Sequence, residues 1–220
     1  MTPKSVGLIK ANIDLIEKSF SDVVDFNRSE IFRVDSRYII AFKDYDPTFI
    51  KGSYRDEYIS IRDRQQYTFR LMDPDSGNYS YMQLIYILDK DGKLTDGTRI
   101  SYYPYISDEP SVRNSSKSEE VSHIRFELSY SQRIEYLHPL SHLQFGSLNR
   151  LRLMVDEFPS PFAFFHLIAI CFFKNSWLNN YMENGVFREN VFDSTLCRHI
   201  PALGLDQTKE LSRLINIRVN

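Results

Sequence analysis

The sequence predicts an α+β protein: an antiparallel sheet of about five or six strands with an N-terminal amphipathic helix, a buried apolar helix and a short C-terminal helix. Three observations carry this. Apolar residues recur at spacings of three and four over the first twenty residues, the period changes to two from residue 66, and a nearly unbroken apolar run follows Ser160-Pro161.

The first helix is drawn by Val6, Ile9, Ile13, Ile16 and Phe20, with Thr2 as a cap and Pro3 in the first turn. Residues 31–42, which contain "RYIIAF", read as the first strand, and the charged 51–65 stretch reads as a short helix or a solvated excursion. In "YTFRLM", Tyr67, Phe69 and Leu71 alternate with Thr68 and Arg70. In "NYSYMQLIYIL", Met82, Leu84, Tyr86 and Leu88 share a face. The turn "DKDGK" then leads into "TRISYYPY", which makes 79–105 a hairpin.

Residues 107–120, polar and rich in serine, are the candidate mobile loop. In the strand "HIRFELSY", Ile124, Phe126, Leu128 and Tyr130 face inward, while His123, Arg125, Glu127 and Ser129 share the other face. Ser160 before Pro161 starts a helix whose residues are apolar all round, the pattern of a helix buried on most sides. "DQTKELSRLINI" closes the chain as a short helix with Leu211, Leu214 and Ile215 inward.

With 220 residues, 42% hydrophobic, and no repeat or long linker, a single domain spanning 1–220 is expected. Lys+Arg 27 against Asp+Glu 29 gives a net charge of −2, which excludes the strongly basic footprint of a duplex DNA-binding domain. A local groove for RNA or single-stranded nucleic acid stays open. Cys171 and Cys197 have no CxxC spacing, and Cys171 in its apolar run reads as a buried small hydrophobe. Few cysteines and no N-terminal apolar leader predict a cytoplasmic protein. The run Phe162–Phe173 is too short to span a bilayer, so no membrane association is expected.

The chemistry concentrates in "RIEYLHPLSHLQFGSLNRLR", residues 133–152. Pro139 suits a first helical position and Gly146 a helix end, so Pro139–Phe145 reads as one or two helical turns that bring His138 and His142 to one pocket. Three readings follow. A metal site needs a further ligand such as Glu127, Glu135 or His166, and the sequence holds no HExxH, so neither a metal nor a cofactor is expected. As an acid–base pair, the two histidines can cleave RNA while arginines hold the phosphate. As a plain corner, they cap and anchor the turn. Arg125 has a neighbour in Glu127, and Arg150 and Arg152 alternate with Leu151 and Leu153 in an expected strand after the box. If the sheet face of Arg125 adjoins the box, these arginines make an anion-binding surface. On its apolar helix, His166 reads as a core histidine, and His199 gets no role.

The pattern His138-Pro139-x-Ser141-His142-x-x-x-Gly146, with Arg152 beyond it, the Pro-flanked apolar helix at Pro159–Phe173, and "YTFRLMD…MQLIYIL…RISYYPY" upstream, resembles an uncharacterised family of bacterial proteins, a domain of unknown function, over residues 5–175. Met154 stands where that pattern has proline. The resemblance implies bacterial origin and no established activity. A second similarity, of the histidine box beside a tyrosine-rich strand, is to small RNA-attacking toxins of toxin–antitoxin modules.

Two function classes are therefore expected. The first is a metal-independent RNA-directed phosphodiesterase of toxin or defence type, with His138 and His142 catalytic and Arg150, Arg152 and Arg125 binding phosphate. A neutralising antitoxin is a partner such an enzyme can have. The second is a non-catalytic module of a bacterial defence or regulatory complex that binds a protein partner through exposed tyrosines and the 107–120 loop.

Overall fold

A computed structural model describes residues 2–46, 54–105, 123–128, 141–145, 152–154 and 158–183. The predicted loop at 107–120, the C-terminal helix, His138, Arg150, Cys197 and His199 lie outside the described residues.

The architecture is α+β, with every strand pair antiparallel. Among the described residues are four helices, α1 (Lys4–Ser19), α2 (Tyr54–Asp63), α3 (Pro161–Phe172) and α4 (Lys174–Glu183). The strands are β1 (Val24–Asn27), β2 (Ser29–Val34), β3 (Arg37–Phe42), β4 (Phe69–Met72), β5 (Tyr79–Leu88), β6 (Arg99–Tyr103), β7 (Ile124–Leu128), β8 (Ser141–Phe145) and β9 (Arg152–Met154).

The ten-residue β5 organises the sheet. Its first half pairs with β4 and its last three residues with β3, so β3 and β4 lie end to end along one side. Beyond them β2 pairs with β3 and β1 with β4. On its other side β5 leads through β6, β7 and β8 to β9. The sheet is thus wider than the sequence period suggested: the strand expected after the histidine box is present as β9, while β1 is too short to show an alternation and β8 was read as a helical turn.

One face carries Met82, Leu84, Tyr86 and Leu88, joined by Ile100, Tyr102, Ile124 and Leu128, as alternation predicts. Against it pack Val6, Ile9, Ile13 and Ile16 of α1 and Phe162, Phe165 and Ile168 of α3. Burying each such side chain stabilises the fold by about 1.5–3 kcal/mol. Two polar groups stitch the helices to this core. Asn12, fully buried in α1, donates to Leu8 O at 3.0 Å and accepts from Phe162 N at 3.2 Å, which supplies a partner for an amide in the first turn of α3. The buried Tyr86 hydroxyl donates to Pro159 O at 2.9 Å, and burial pushes its pKa well up.

Ser160 caps α3, its hydroxyl accepting from Ala163 N at 3.2 Å with Pro161 in the first turn, as predicted. In contrast, Thr2 makes no cap; Pro3 holds that position on α1 without a side-chain hydrogen bond. The single strand expected at 31–42 is two, folded at Asp35-Ser36 with Asp35 in the left-handed region at φ 54°. Residues 51–65 do contain a helix, α2. α3 is not buried all round: Leu167, Ile170 and Phe172 are exposed, and so is Cys171, which overturns its reading as a core residue. Among the described residues no single helix is long and apolar enough to cross a membrane.

The β5–β6 turn sits under the start of α1. Asp89 Oδ1 accepts from Asp91 N and Lys93 N, both at 2.9 Å, and Gly92 takes φ +81°. A Cβ on Gly92 would come within 2.7 Å of Pro3 Cβ. Gly92→Ala is therefore expected to destabilise the protein by about 1–3 kcal/mol, through strain and displacement of α1. A lowered urea midpoint checks it, and an unchanged midpoint would separate the turn from the helix.

Candidate anion-binding face

The face opposite the helical core is polar in its middle. Strand register aligns Arg99 with Glu127 and Glu127 with His142, and in the next row Ser101 with Arg125, Arg125 with Gln144, and Gln144 with Arg152 of β9. Residues directly opposite in an antiparallel sheet share a face, so three adjacent strands bring two guanidinium groups, a carboxylate and an imidazole together. Apolar clusters flank them. On one side lie Ala41, Ile85 and Ile87, and on the other Tyr58 and Ile61 of α2 against Tyr67, Tyr81 and Tyr103.

The predicted helical turn at Pro139–Phe145 is not what forms. Residues 141–145 are β8, paired on both sides, and sheet pairing overrides the helix-start and helix-end signals of Pro139 and Gly146. Extended backbone makes parity rather than the helical turn decide where His142 points. It lands beside Glu127, with Nε2 3.9 Å from Oε2, while the imidazole is fully buried and the Glu127 side chain is a quarter exposed. Arg125 Nη2 donates to the Tyr103 hydroxyl at 3.0 Å. Arg99 Nη2 donates to Gln83 Oε1 at 3.3 Å, and Gln83 Nε2 donates to Gln66 O at 2.6 Å. His123 stacks on Tyr103 with centroids 5.9 Å apart. Burial first, then the positive charges of Arg125 and Arg99, pull its pKa down to about 3.

Of the residues singled out in the sequence, the structure joins His142, Arg125 and Glu127. Arg152 occupies the register position beside Gln144. Arg70 shares the face but is committed elsewhere: its guanidinium bonds Asp25 at 2.5 Å and lies over the Tyr79 ring. His166 sits on α3, in the helical layer on the other face, against Phe162 and Trp177. Arg99, Ser101, Gln83 and Gln144 were not picked out, although the alternation of Arg99, Ser101 and Tyr103 with Ile100 and Tyr102 was there to read. Among the described residues no group of three or more His, Cys, Asp or Glu side chains could hold a metal ion.

Fold and face together define an α+β protein with α1 and α3 packed on one side of an antiparallel sheet and, on the other, a charged patch flanked by α2. The family model described as "Uncharacterized conserved protein (DUF2290)" matches residues 23–202, and the chain belongs to this family. The resemblance to an uncharacterised conserved family thus holds at family level. No curated protein and no solved structure matches the chain.

Proposed function

We propose that this protein is a metal-independent phosphodiesterase acting on RNA, of toxin or defence type, and that the charged face is its site. The observation that supports it best is the row Arg99–Glu127–His142 beside Arg125. A phosphodiester is an anion whose charge grows in the transition state, and fixed guanidinium donors stabilise it there. Glu127 is the more accessible member of the carboxylate–imidazole pair, so it meets the 2′-hydroxyl and takes its proton, with His142 behind it as the positioning residue. Arg125 holds the phosphate. The remaining parts fall, by sequence pattern alone, to His138 for the proton of the leaving 5′-oxygen and to Arg150 and Arg152 for further phosphate contacts, although the helical turn that paired His138 with His142 is replaced by β8. The toxin or defence setting rests on the likeness of the histidine box alone.

The test is cleavage of end-labelled single-stranded RNA in chelator, with products analysed for 2′,3′-cyclic phosphate ends. Glu127→Gln, His142→Ala and Arg125→Ala should each slow cleavage about 100-fold or more while the circular dichroism stays native. A wild-type protein that cuts no RNA, or a folded Glu127→Gln that cuts at the wild-type rate, rejects the reading. The alternative, a non-catalytic module docking on a protein partner, is favoured by the exposure of Leu167, Ile170, Phe172, Leu178 and Met182 along α3 and α4.

A further inference from the structure

We propose that α2 is an opening cover over the tyrosine side of the charged face, and that Arg28 is the latch that holds it shut. Access to Tyr103 and Arg125 then depends on α2 whatever the face binds, so this goes beyond the phosphodiesterase reading.

The cover is small and stands apart from the main core. α2 meets the sheet through Tyr58 and Ile61, with Ile59 beside them, against Tyr67, Tyr81 and Tyr103. The Tyr58 ring meets that of Tyr81 edge-on at 5.5 Å, and its hydroxyl donates to Tyr79 O at 3.2 Å. A helix of ten residues is marginal by itself, so α2 depends on these few contacts and on how its ends are held. Beneath it, Tyr103 accepts the Arg125 hydrogen bond and carries the His123 stack. The cover therefore reaches the charged row through one ring.

The latch is read from the C-terminus of α2. Gln66 N donates to Ile61 O at 2.9 Å and Gln65 N to Arg62 O at 3.2 Å, the paired bonds of a helix end that turns through a left-handed residue. That residue is Gln65, at φ 54°, where glycine is the usual choice. Glutamine there costs backbone strain, and what it adds is a side-chain amide whose Oε1 accepts from Arg28 Nη1. Arg28 also reaches Asp44, which precedes α2 in the chain and is likewise left-handed at φ 61°, with Nη2 3.8 Å from Oδ2. The carboxylate is mostly exposed, so this contact is the weaker of the two.

The base of the latch is fixed. Arg28 N donates to Thr68 O and its carbonyl accepts from Lys43 N, both at 2.8 Å, where β1 passes into β2. One guanidinium anchored on the sheet thus grips the chain before α2 and the chain after it. Without that grip α2 lifts as a local unit while the sheet stays closed, and Tyr67, Tyr81 and Tyr103, all buried here, open to solvent together.

The test compares the full chain with Arg28→Ala and with Gln65→Asn. Asparagine tolerates the left-handed region better than glutamine but is one methylene shorter, so it relieves the backbone and drops the bond to Arg28. In both variants the amides of residues 58–65 should exchange about 10-fold faster or more, with the amides of β5 opposite β6 unchanged. Nitration by tetranitromethane, mapped by mass spectrometry, gives a second readout. Tyr67, Tyr81 and Tyr103 should react faster in both variants, while the exposed Tyr105 reacts as in the wild type. Unchanged exchange over α2, or slower exchange in Gln65→Asn, overturns the latch. So does an acceleration that extends equally to β5, which would make Arg28 a residue of the whole fold. If Arg28→Ala does not fold, Gln65→Asn decides the matter by itself.

Discussion

Phe165→Ala is expected to lower the unfolding free energy by about 3–5 kcal/mol, the range for deleting a fully buried phenylalanine. Phe165 is closed to solvent in α3, and its ring meets that of Phe20 edge-on at a centroid distance of 4.8 Å. This contact lies where α1 and α3 pack against one another over the sheet. Asn12 ties the first turn of α3 to the middle of α1, and Ser160 caps that same turn, so the helices cannot collapse freely into the space left by the ring. The lost transfer energy and the residual cavity therefore add. For a chain of this size the change corresponds to a fall in Tm of about 10 °C. Leu167→Ala, two residues on and on the exposed side of the same helix, should cost less than about 1 kcal/mol. A loss below 1 kcal/mol at Phe165 would mean that α3 is not anchored where the structure places it.

The second large effect is acid sensitivity through His123. This imidazole is buried beneath Tyr103 and beside Arg125, with its pKa lowered to about 3 from an unfolded value of 6.5. Between those two values the unfolded chain binds a proton that the folded chain refuses. The stability contributed is intact above pH 6.5 and is lost as the pH falls toward 3. The slope is roughly 1.4 kcal/mol per pH unit, about 2 kcal/mol by pH 5 and of order 5 kcal/mol over the whole window. His123→Phe, which keeps the stack on Tyr103, should flatten this part of the curve. Denaturant midpoints measured from pH 7 to pH 4 for both proteins decide it, and parallel curves would remove His123 as the cause.

Much of the fold could be read from the sequence because several elements carry their own periodicity. Met82, Leu84, Tyr86 and Leu88 of β5, Ile100 and Tyr102 of β6 and Ile124, Phe126 and Leu128 of β7 recur at every second residue, α1 repeats at three and four, and Ser160-Pro161 announces a helix. What escaped depends on partners far along the chain. Leu143 packs with the core while His142 and Gln144 take the other face, an alternation masked by Pro139 and Gly146 at its ends. Apolar composition could not say which side of α3 would go uncovered, so Cys171 was misplaced. As for the charged face, parity within β7 set Arg125 and Glu127 together, but their meeting with Arg99 and His142 is a matter of register between strands. Short-range sequence pattern does not encode that register. His138 and Arg150 lie outside the described residues, so the site as drawn rests on Arg99, Arg125, Glu127 and His142.

The long β5 strand has a consequence for how the molecule comes apart. β3 and β4 touch different lengths of it, and each brings its own outer strand, so the N-terminal side of the sheet consists of two ribbons with one shared spine. The β2–β3 ribbon is held to β5 by three aligned pairs, from Tyr38–Leu88 to Ile40–Tyr86. Such a ribbon can open as a local cooperative unit at less than the cost of global unfolding, while β4, β5 and β6 remain closed. Stability is therefore graded across the sheet. The amides of β5 opposite β6 belong to its most persistent part, and those of the outer strands β1 and β2 should exchange sooner.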